Sequence, residues 1–338
     1  MKKRPIIYML PTIAFLFLIP IIIGGFSFNL KLIILSLIYA VLVSNWDLTL
    51  GYTGIFNFAH GAFFAIGAYT SGILAGGGMP PYVKPVFHVS PWLALLAGGV
   101  VASVSSLIIA LPSLRLRGIY FALFAFGFQQ TLYSVILVNP NYLTGGSQGL
   151  THIPNLQLGP ISFGGIESTP DYYLILCIFL ASTFFLYKII HSKIGMAFVA
   201  LRDSEVYAMS RGIDPYKYKT LSVLISAFFT GIVGAFYAHY LGVISIEILG
   251  WGFISLGLSI LILGGVGTFF GPIIASFIMT FISEHVRGFF AYRPVIIATI
   301  LVVVMVLRPS GILTAIPVLV NFFKEKIWGF SHGAATTN

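Results

Sequence analysis

Polar side chains that could take part in chemistry are few in this chain, and most of them interrupt long apolar runs. Such groups build transport pathways and proton relays, because ionisable side chains within a membrane face the interior of a helix bundle. The sequence has no clustered set of acid, base or metal-ligating residues of the kind an active site requires, which disfavours a membrane enzyme. We expect the following residues to line a pathway or to mark a break in a helix: Asn45, Asp47, Asn57, His60, Gly61, Gly67, Gln129 and Gln130.

Residues 51–70 allow two interpretations. Gly61 and Gly67 permit close approach of neighbouring helices, so the segment would serve tight packing. Broken backbone at membrane depth is also tolerated where it lines a water-filled cavity, so the segment would equally line a pathway. For His60, a hydrogen-bonded packing role and a contact with a transported molecule stay equally open.

The remaining candidates carry simpler expectations. Asp47 lies near the end of its apolar run, where we expect it to cap a helix end. Gln129 and Gln130 fall in the middle of a run, and at least one of them should find a partner inside the bundle. An amide left unsatisfied in lipid costs several kcal/mol.

Charge is concentrated in one internal segment, residues 188–219, which holds nine Lys, Arg, Asp and Glu side chains between two apolar runs. Asp203 or Ser204 is a suitable N-cap, and Gly212 a suitable residue just beyond the C-terminus. These signals predict a helix of about eight residues near 204–211, which is too short to be stable in water without packing against something else. We expect its packing face to consist of Val206, Tyr207 and Met209.

Two roles suit the loop at residues 191–216. It is either a plain basic connector on the bilayer surface or a docking site for a cytoplasmic subunit, and the docking site is favoured. In the second case the binding residues are expected to be Arg202, Asp203, Ser204, Glu205, Arg211 and Gly212.

The elements that carry these residues are membrane helices. Hydrophobic residues make up 58% of the chain and charged residues only 8%, whereas a soluble domain has about 25% charged residues. A helix needs about 20 apolar residues to cross a membrane. The sequence therefore predicts an all-α polytopic membrane protein with about ten transmembrane helices. The predicted spans are 6–26, 31–50, 56–76, 91–111, 118–138, 171–190, 217–241, 251–266, 270–288 and 293–309.

The basic residues predict the orientation, because cytoplasmic loops carry the excess of Lys and Arg. With both termini in the cytoplasm, fourteen basic residues fall on the inner side and four on the outer side. Residues 1–338 then form a single transmembrane domain whose halves, 1–138 and 171–309, have opposite orientations, as in the inverted repeats of many transporters. The direct evidence for a repeat is two glycine clusters, Gly51–Gly54 and Gly264–Gly267.

Four separated stretches carry a resemblance to a known family: residues 51–70, 144–150, 194–218 and 263–272. Together they resemble the permease subunits of branched-chain amino acid ABC importers, of the LivM kind, over roughly residues 35–310. Within the first stretch, Asn57-Phe58-Ala59-His60-Gly61 is more similar to the second permease of the same systems. The resemblance implies that residues 200–213 contact the ATPases.

The resemblance implies a subunit of the bacterial inner (plasma) membrane that binds no cofactor itself. ATP and Mg²⁺ belong to its partners, and the sequence contains no GxxxxGK[ST] phosphate-binding loop. The implied partners are a second permease, two cytoplasmic ATPases, a periplasmic or surface binding protein and membrane lipid, but no nucleic acid. Two alternatives stay open: a permease for urea or short amides, and a stand-alone secondary carrier. The second is disfavoured because the acidic residues within predicted spans, Asp47, Asp171 and Glu284, all lie near a span end rather than deep in the membrane.

Overall fold

A computed structural model of the chain describes residues 27–78, 87–112, 118–138, 144–159, 161–164, 169–286 and 292–307, with positions 17, 20, 116, 288 and 311. The predicted first span, 6–26, lies almost wholly outside the described residues. So do the basic residues at both termini and at positions 84, 115, 117 and 287 that support the predicted orientation.

The described part of the chain is mainly helical. We number its helices α1 Ser27–Asp47, α2 His60–Leu74, α3 Pro91–Ser105, α4 Leu107–Ala110, α5 Ile119–Val138, α6 Thr169–Ile190, α7 Lys193–Asp203, α8 Glu205–Ser210, α9 Pro215–Leu241, α10 Trp251–Gly264, α11 Gly271–His285 and α12 Arg293–Leu307. Shorter elements are a π-helical turn at Leu48–Tyr52, 3-10 turns at Gly146–Gln148 and Ile246–Leu249, and the antiparallel strands β1 Gln157–Leu158 and β2 Ile161–Ser162.

Among the described residues, five stretches of helix are long and apolar enough to cross a membrane: Leu30–Tyr52, Pro91–Ala110, Ile119–Val138, Thr169–Ile190 and Pro215–Leu241. Two further apolar helices, Trp251–Gly264 and Val295–Val306, are shorter. Each predicted span from residue 31 onward contains a helix. Helix α2 begins at His60 rather than at residue 56 because residues 53–59 are irregular.

Local chemistry explains where several helices begin and end. Pro215 occupies the first turn of α9, where its missing N–H is not needed. The Asp214 side chain caps the same helix by accepting the Tyr216 N–H at 2.9 Å. At the other end, Gly242 adopts the left-handed conformation, φ 67°, which ends the helix.

Close glycine contacts hold the centre of the bundle together, where α9 packs most extensively on α2 and α3. A Cβ added to Gly67 on α2 would lie 2.5 Å from the Cα of Gly231 on α9. A Cβ on Gly98 of α3 would lie 2.7 Å from the Gly67 carbonyl oxygen. Since no side chain fits at these crossings, the three helices approach each other through their backbones.

The polar loop before α6 is fastened to the bundle by backbone hydrogen bonds. The Leu150 N–H donates to the Ile244 carbonyl at 2.9 Å, and the Ile244 N–H donates back at 2.8 Å. Thr151 and Gly78 exchange a similar pair at 2.9 and 3.0 Å. The loop therefore joins the ends of α2 and α9, on the side of the bundle away from α7 and α8.

Candidate functional site

The charged segment folds as two consecutive helices, α7 and α8, which we call the coupling segment (residues 193–212). The Ser192 hydroxyl caps α7 by accepting the Ile194 N–H at 3.1 Å. Ser204 is extended, φ −161°, and its hydroxyl caps α8 by accepting the Tyr207 N–H at 3.3 Å. Gly212 has φ 79°, the left-handed conformation expected of a residue that follows a helix.

The observed helix α8 has six residues rather than the predicted eight, since Arg211 lies beyond its last residue as the C-cap. The prediction of its packing face is wrong. Val206 is 68% exposed and Tyr207 58%, and Met209 is also exposed, while Ala208 is the buried residue of this helix. Caps at both ends and an ion pair, rather than an apolar face, hold α8 in place.

That ion pair joins Glu205 at the start of α8 to Lys219 in the first turns of α9. Lys219 Nζ lies 3.0 Å from Glu205 Oε1. Both side chains are mostly buried, with 22% of the Glu205 side chain and 12% of the Lys219 side chain exposed. Partial burial makes such a pair less sensitive to salt than a surface ion pair. It fixes the coupling segment to the beginning of α9.

Arg202 provides the second attachment. Its Nη1 donates to the carbonyl oxygen of Gly51, in the π-helical turn after α1, at 2.9 Å. Its Nε and Nη2 both donate to Asp203 Oδ1 at 3.0 Å, which orients the guanidinium. Because Gly54 has no side chain, Arg202 can lie close to the backbone there; a Cβ on Gly54 would lie only 3.1 Å from Arg202 Cγ.

The two glycine clusters noted in the sequence meet beside this attachment. The Gly267 N–H donates to Asp47 Oδ1 at 2.8 Å, and a Cβ on Gly51 would lie 2.7 Å from the Gly267 Cα. Asp47 thus binds the loop between α10 and α11 rather than capping a helix end as predicted. The end of α1, the α10–α11 loop and the coupling segment therefore form one junction.

A second polar group lies within the bundle and includes two predicted residues, Asn45 and His60, both fully buried. The Ser226 hydroxyl donates to the Asn45 carbonyl at 2.7 Å, and His60 Nε2 lies 2.6 Å from the same hydroxyl oxygen. His60 Nδ1 also lies 3.2 Å from the Asn57 carbonyl oxygen, and the tautomer of the ring sets which of the two nitrogens donates. The indole ring of Trp46 stacks on the imidazole, with ring centroids 5.1 Å apart.

Other predicted residues surround this group. The Asn45 side chain donates to Ser182 Oγ at 2.9 Å. Asn57 Oδ1 accepts the Ala59 N–H at 2.9 Å, which shapes the irregular approach to α2. These contacts fit the packing interpretation of His60 and the helix-break interpretation of Asn57.

Gln129 is fully buried and donates to the Leu249 carbonyl at 3.3 Å, while its Oε1 has no hydrogen-bond partner. Gly61 lies against it, since a Cβ there would come 3.0 Å from the Gln129 amide. Gln130 is half-buried. The structure therefore links Gly61 with Gln129, whereas Gly67 belongs to the helix crossing described above.

Sequence reasoning missed the serine partners Ser182 and Ser226. His239 is buried and contacts Ser71 Oγ at 2.8 Å and the Pro154 carbonyl at 2.7 Å. A signal was present in α9, where small residues recur every four positions and mark one helix face. These residues are Ser222, Ser226, Thr230 and Gly234.

Within the described ranges, no three His, Cys, Asp or Glu residues come close enough together to hold a metal ion. The apolar helices, the buried polar contacts and the charged segment at one end define an α-helical integral membrane protein.

The chain belongs to the family described as "Branched-chain amino acid transport system / permease component", whose model matches residues 28–308. It is 28% identical over 300 residues to the high-affinity branched-chain amino acid transport system permease protein LivM of Escherichia coli K12, covering 82% of this chain and 68% of that protein. LivM of Salmonella typhimurium matches to the same extent. LivH of Escherichia coli K12 is 25% identical over 293 residues, which cover 81% of this chain and 91% of LivH. No solved structure matches the chain.

Proposed function

We propose that the chain is the permease subunit of an ATP-driven importer that moves branched-chain amino acids into the cytoplasm. Family membership supports this function, and the relatives named above are permease proteins of branched-chain amino acid transport systems. Those relatives do not favour a urea or short-amide cargo or a stand-alone carrier. The structural observation that carries the proposal is the two-sided character of the coupling segment.

One side of the coupling segment is attached to the bundle. Arg202 bonds to the end of α1, and Glu205 pairs with the start of α9. Phe198 of α7 is fully buried in a small apolar cluster with Leu186 and Leu48. Force applied to the segment would therefore reach α1, α6 and α9 together.

The other side carries exposed apolar side chains: Met196 is 65% exposed, and Val206, Tyr207 and Met209 are also exposed. An apolar patch rimmed by charged residues is typical of a protein interface. In the proposed transporter this patch binds a cytoplasmic ATPase, and Arg211 lies at its edge with its guanidinium 5.3 Å from the ring of Tyr207.

The full assembly in this proposal contains a second permease, two ATPases that bind ATP and Mg²⁺, and a periplasmic or surface binding protein. The chain spans a bacterial inner membrane about ten times, with both termini in the cytoplasm. The basic residues favour this topology.

The coupling mechanism follows from the attachments. When the ATPases close, the coupling segment moves with them. The Arg202–Gly51 bond then moves the π-helical turn and α1, and the Glu205–Lys219 pair moves α9. Because α9 packs on α2 and α3 without intervening side chains at their crossings, these helices shift as a unit.

A matched pair of substitutions tests the proposal. Val206→Asp places a charge in the exposed patch, while Leu158→Asp places one at a similarly exposed position on β1, away from the coupling segment. We expect Val206→Asp to reduce ATPase co-purification and labelled-leucine uptake at least about tenfold, as loss of an apolar interface contact of about 1.4 kcal/mol would do. Leu158→Asp should retain the ATPases. Equal ATPase recovery with both variants would refute the docking role.

Uptake competition addresses the cargo separately. Unlabelled leucine and valine should compete with labelled leucine, whereas urea and short amides should not. Effective competition by urea would reverse the proposed choice of substrate.

A further inference from the structure

A large cavity lies at the end of the bundle opposite to the coupling segment. Its volume is about 870 Å³, within the range of about 300–1,000 Å³ typical of small-molecule sites. Helix α9 begins beside Glu205 of the coupling segment and ends at Leu241. The cavity is lined by Tyr237, near that far end of α9, and by residues of the link to α10, so it lies away from the coupling segment. A smaller cavity of about 170 Å³ adjoins it. Both are lined by Tyr39, Tyr237, Phe253 and Leu256.

The N-terminus of α10 opens into the larger cavity. Gly250 is the N-cap, has no side chain to cap the first turn, and lines the cavity together with Gly252. A Cβ added to Gly252 would meet no atom within 4 Å, so open space lies beside this turn. Backbone N–H groups at the start of a helix bind carboxylates, since the helix dipole adds positive potential there.

Two buried hydroxyls line the two cavities. Thr280 on α11 is only 4% exposed and lines the smaller cavity, and its Oγ1 has no hydrogen-bond partner. Ser259 on α10 is 6% exposed and lines the larger cavity. Because a buried hydroxyl without a partner is unfavourable, Thr280 favours a polar occupant of the smaller cavity, which adjoins the proposed site.

The charge of the walls suits a zwitterion. Glu247 precedes α10 in the 3-10 turn and lines the larger cavity, where its carboxylate can accept an ammonium group. No Lys, Arg or His stands among the described residues that line either cavity. Much of the remaining wall is apolar and accommodates an aliphatic side chain; it includes Phe253, Leu256, Leu258, Ile297 and Leu301.

We infer that this cavity is a binding site for a zwitterionic aliphatic amino acid within the permease itself. The substrate carboxylate lies at the N-terminus of α10 near Gly252, its ammonium group faces Glu247, and its side chain contacts the apolar wall. The inference rests on the proposed import function and adds a residue-level site for the cargo. It also predicts that urea is rejected, because urea carries no charge for either end of the site.

A cysteine-protection experiment on the assembled transporter reads the site directly. Cys177 is the single cysteine, so a Cys177→Ser background that also carries Gly252→Cys presents one thiol, at the open N-terminus of α10. We expect leucine to slow its labelling by a small methanethiosulfonate reagent, and urea to have no effect. Adding Glu247→Gln should raise the leucine concentration for half-protection about tenfold, as expected for loss of a charge-assisted contact. Absence of protection by leucine, equal protection by urea, or an unchanged half-protection concentration would each overturn the assignment.

Leucine uptake by reconstituted transporter separates this inference from the proposed function. Gly252→Asp adds an anion that suits the helix N-terminus but occupies the place of the substrate carboxylate, so uptake should fall at least about tenfold while ATPase co-purification is retained. Val243→Asp, an exposed position of the same link outside the cavity lining, is the control and should transport normally. No leucine uptake by the wild-type assembly would refute the proposed function. Normal uptake by both wild type and Gly252→Asp would refute only the site.

Discussion

Replacing Gly67 by alanine adds one methyl group where α2 meets the backbone of α9. The new Cβ would lie 2.5 Å from the Cα and 2.6 Å from the carbonyl carbon of Gly231. Non-bonded carbon atoms pack about 3.5–4.0 Å apart, so the two helices would have to separate by roughly 1 Å. Both contacts are with backbone atoms, and a rotamer change cannot relieve them.

Two effects of opposite sign determine how much the substitution changes the free energy of unfolding. Overpacking of this kind costs about 1–3 kcal/mol, while alanine gains up to about 1 kcal/mol over glycine in intrinsic helix propensity. Gly127→Ala on α5 isolates the second effect, because its Cβ would meet no atom within 4 Å. We therefore expect Gly67→Ala to be less stable than wild type, and Gly127→Ala to be at least as stable as wild type.

Fluorescence-detected size-exclusion chromatography after heating measures this difference in detergent. The Tm of Gly67→Ala should lie below those of both wild type and Gly127→Ala. If the two alanine variants melt at the same temperature, the backbone contact between α2 and α9 does not limit packing, and the close helix crossing is refuted.

Three further predictions concern buried polar groups and the coupling segment. Ser226→Ala should lower the free energy of unfolding by about 0.6–1.5 kcal/mol, because it removes two buried hydrogen bonds. Thr230→Val, one turn further along α9, should leave stability unchanged or raise it, because the Thr230 hydroxyl has no partner. Glu205→Gln should break the pair with Lys219 and speed amide exchange in α8 about fivefold, which corresponds to about 1 kcal/mol.

Thermal denaturation in detergent checks the first two of these predictions, and a larger loss for Thr230→Val than for Ser226→Ala would contradict them. Hydrogen exchange read by mass spectrometry checks the third. Glu247→Gln is its control, because it makes the same change of charge at an exposed position before α10; equal exchange in the two variants would show that the ion pair does not hold α8.

Helix positions were largely predictable from the sequence because they depend on local properties. Apolar runs, Pro215 at a first turn and glycine at a helix end identify helices within a few residues. The caps of α8 were predicted for the same reason: Ser204 and Gly212 act on their immediate neighbours.

Partners distant in the sequence were not predictable in this way. Asp47 was expected to cap a helix, but it bonds to Gly267, and the position of that N–H depends on how α1 and α11 pack. The prediction that Val206 and Met209 form the packing face of α8 also failed. Apolar residues on a short helix indicate a contact, but they do not indicate whether the contact belongs to the same chain or to another.

The attachment of Arg202 to Gly51 has a genetic consequence. Arginine binds a main-chain oxygen there, so the contact depends on the shape of the π-helical turn and not on the identity of a side chain. A charge-reversal exchange with Asp203 could restore the Arg202–Asp203 ion pair, but it would not restore the contact with Gly51, whose acceptor is a main-chain oxygen. Suppressors of an Arg202 defect should instead arise at positions that set the winding of the turn.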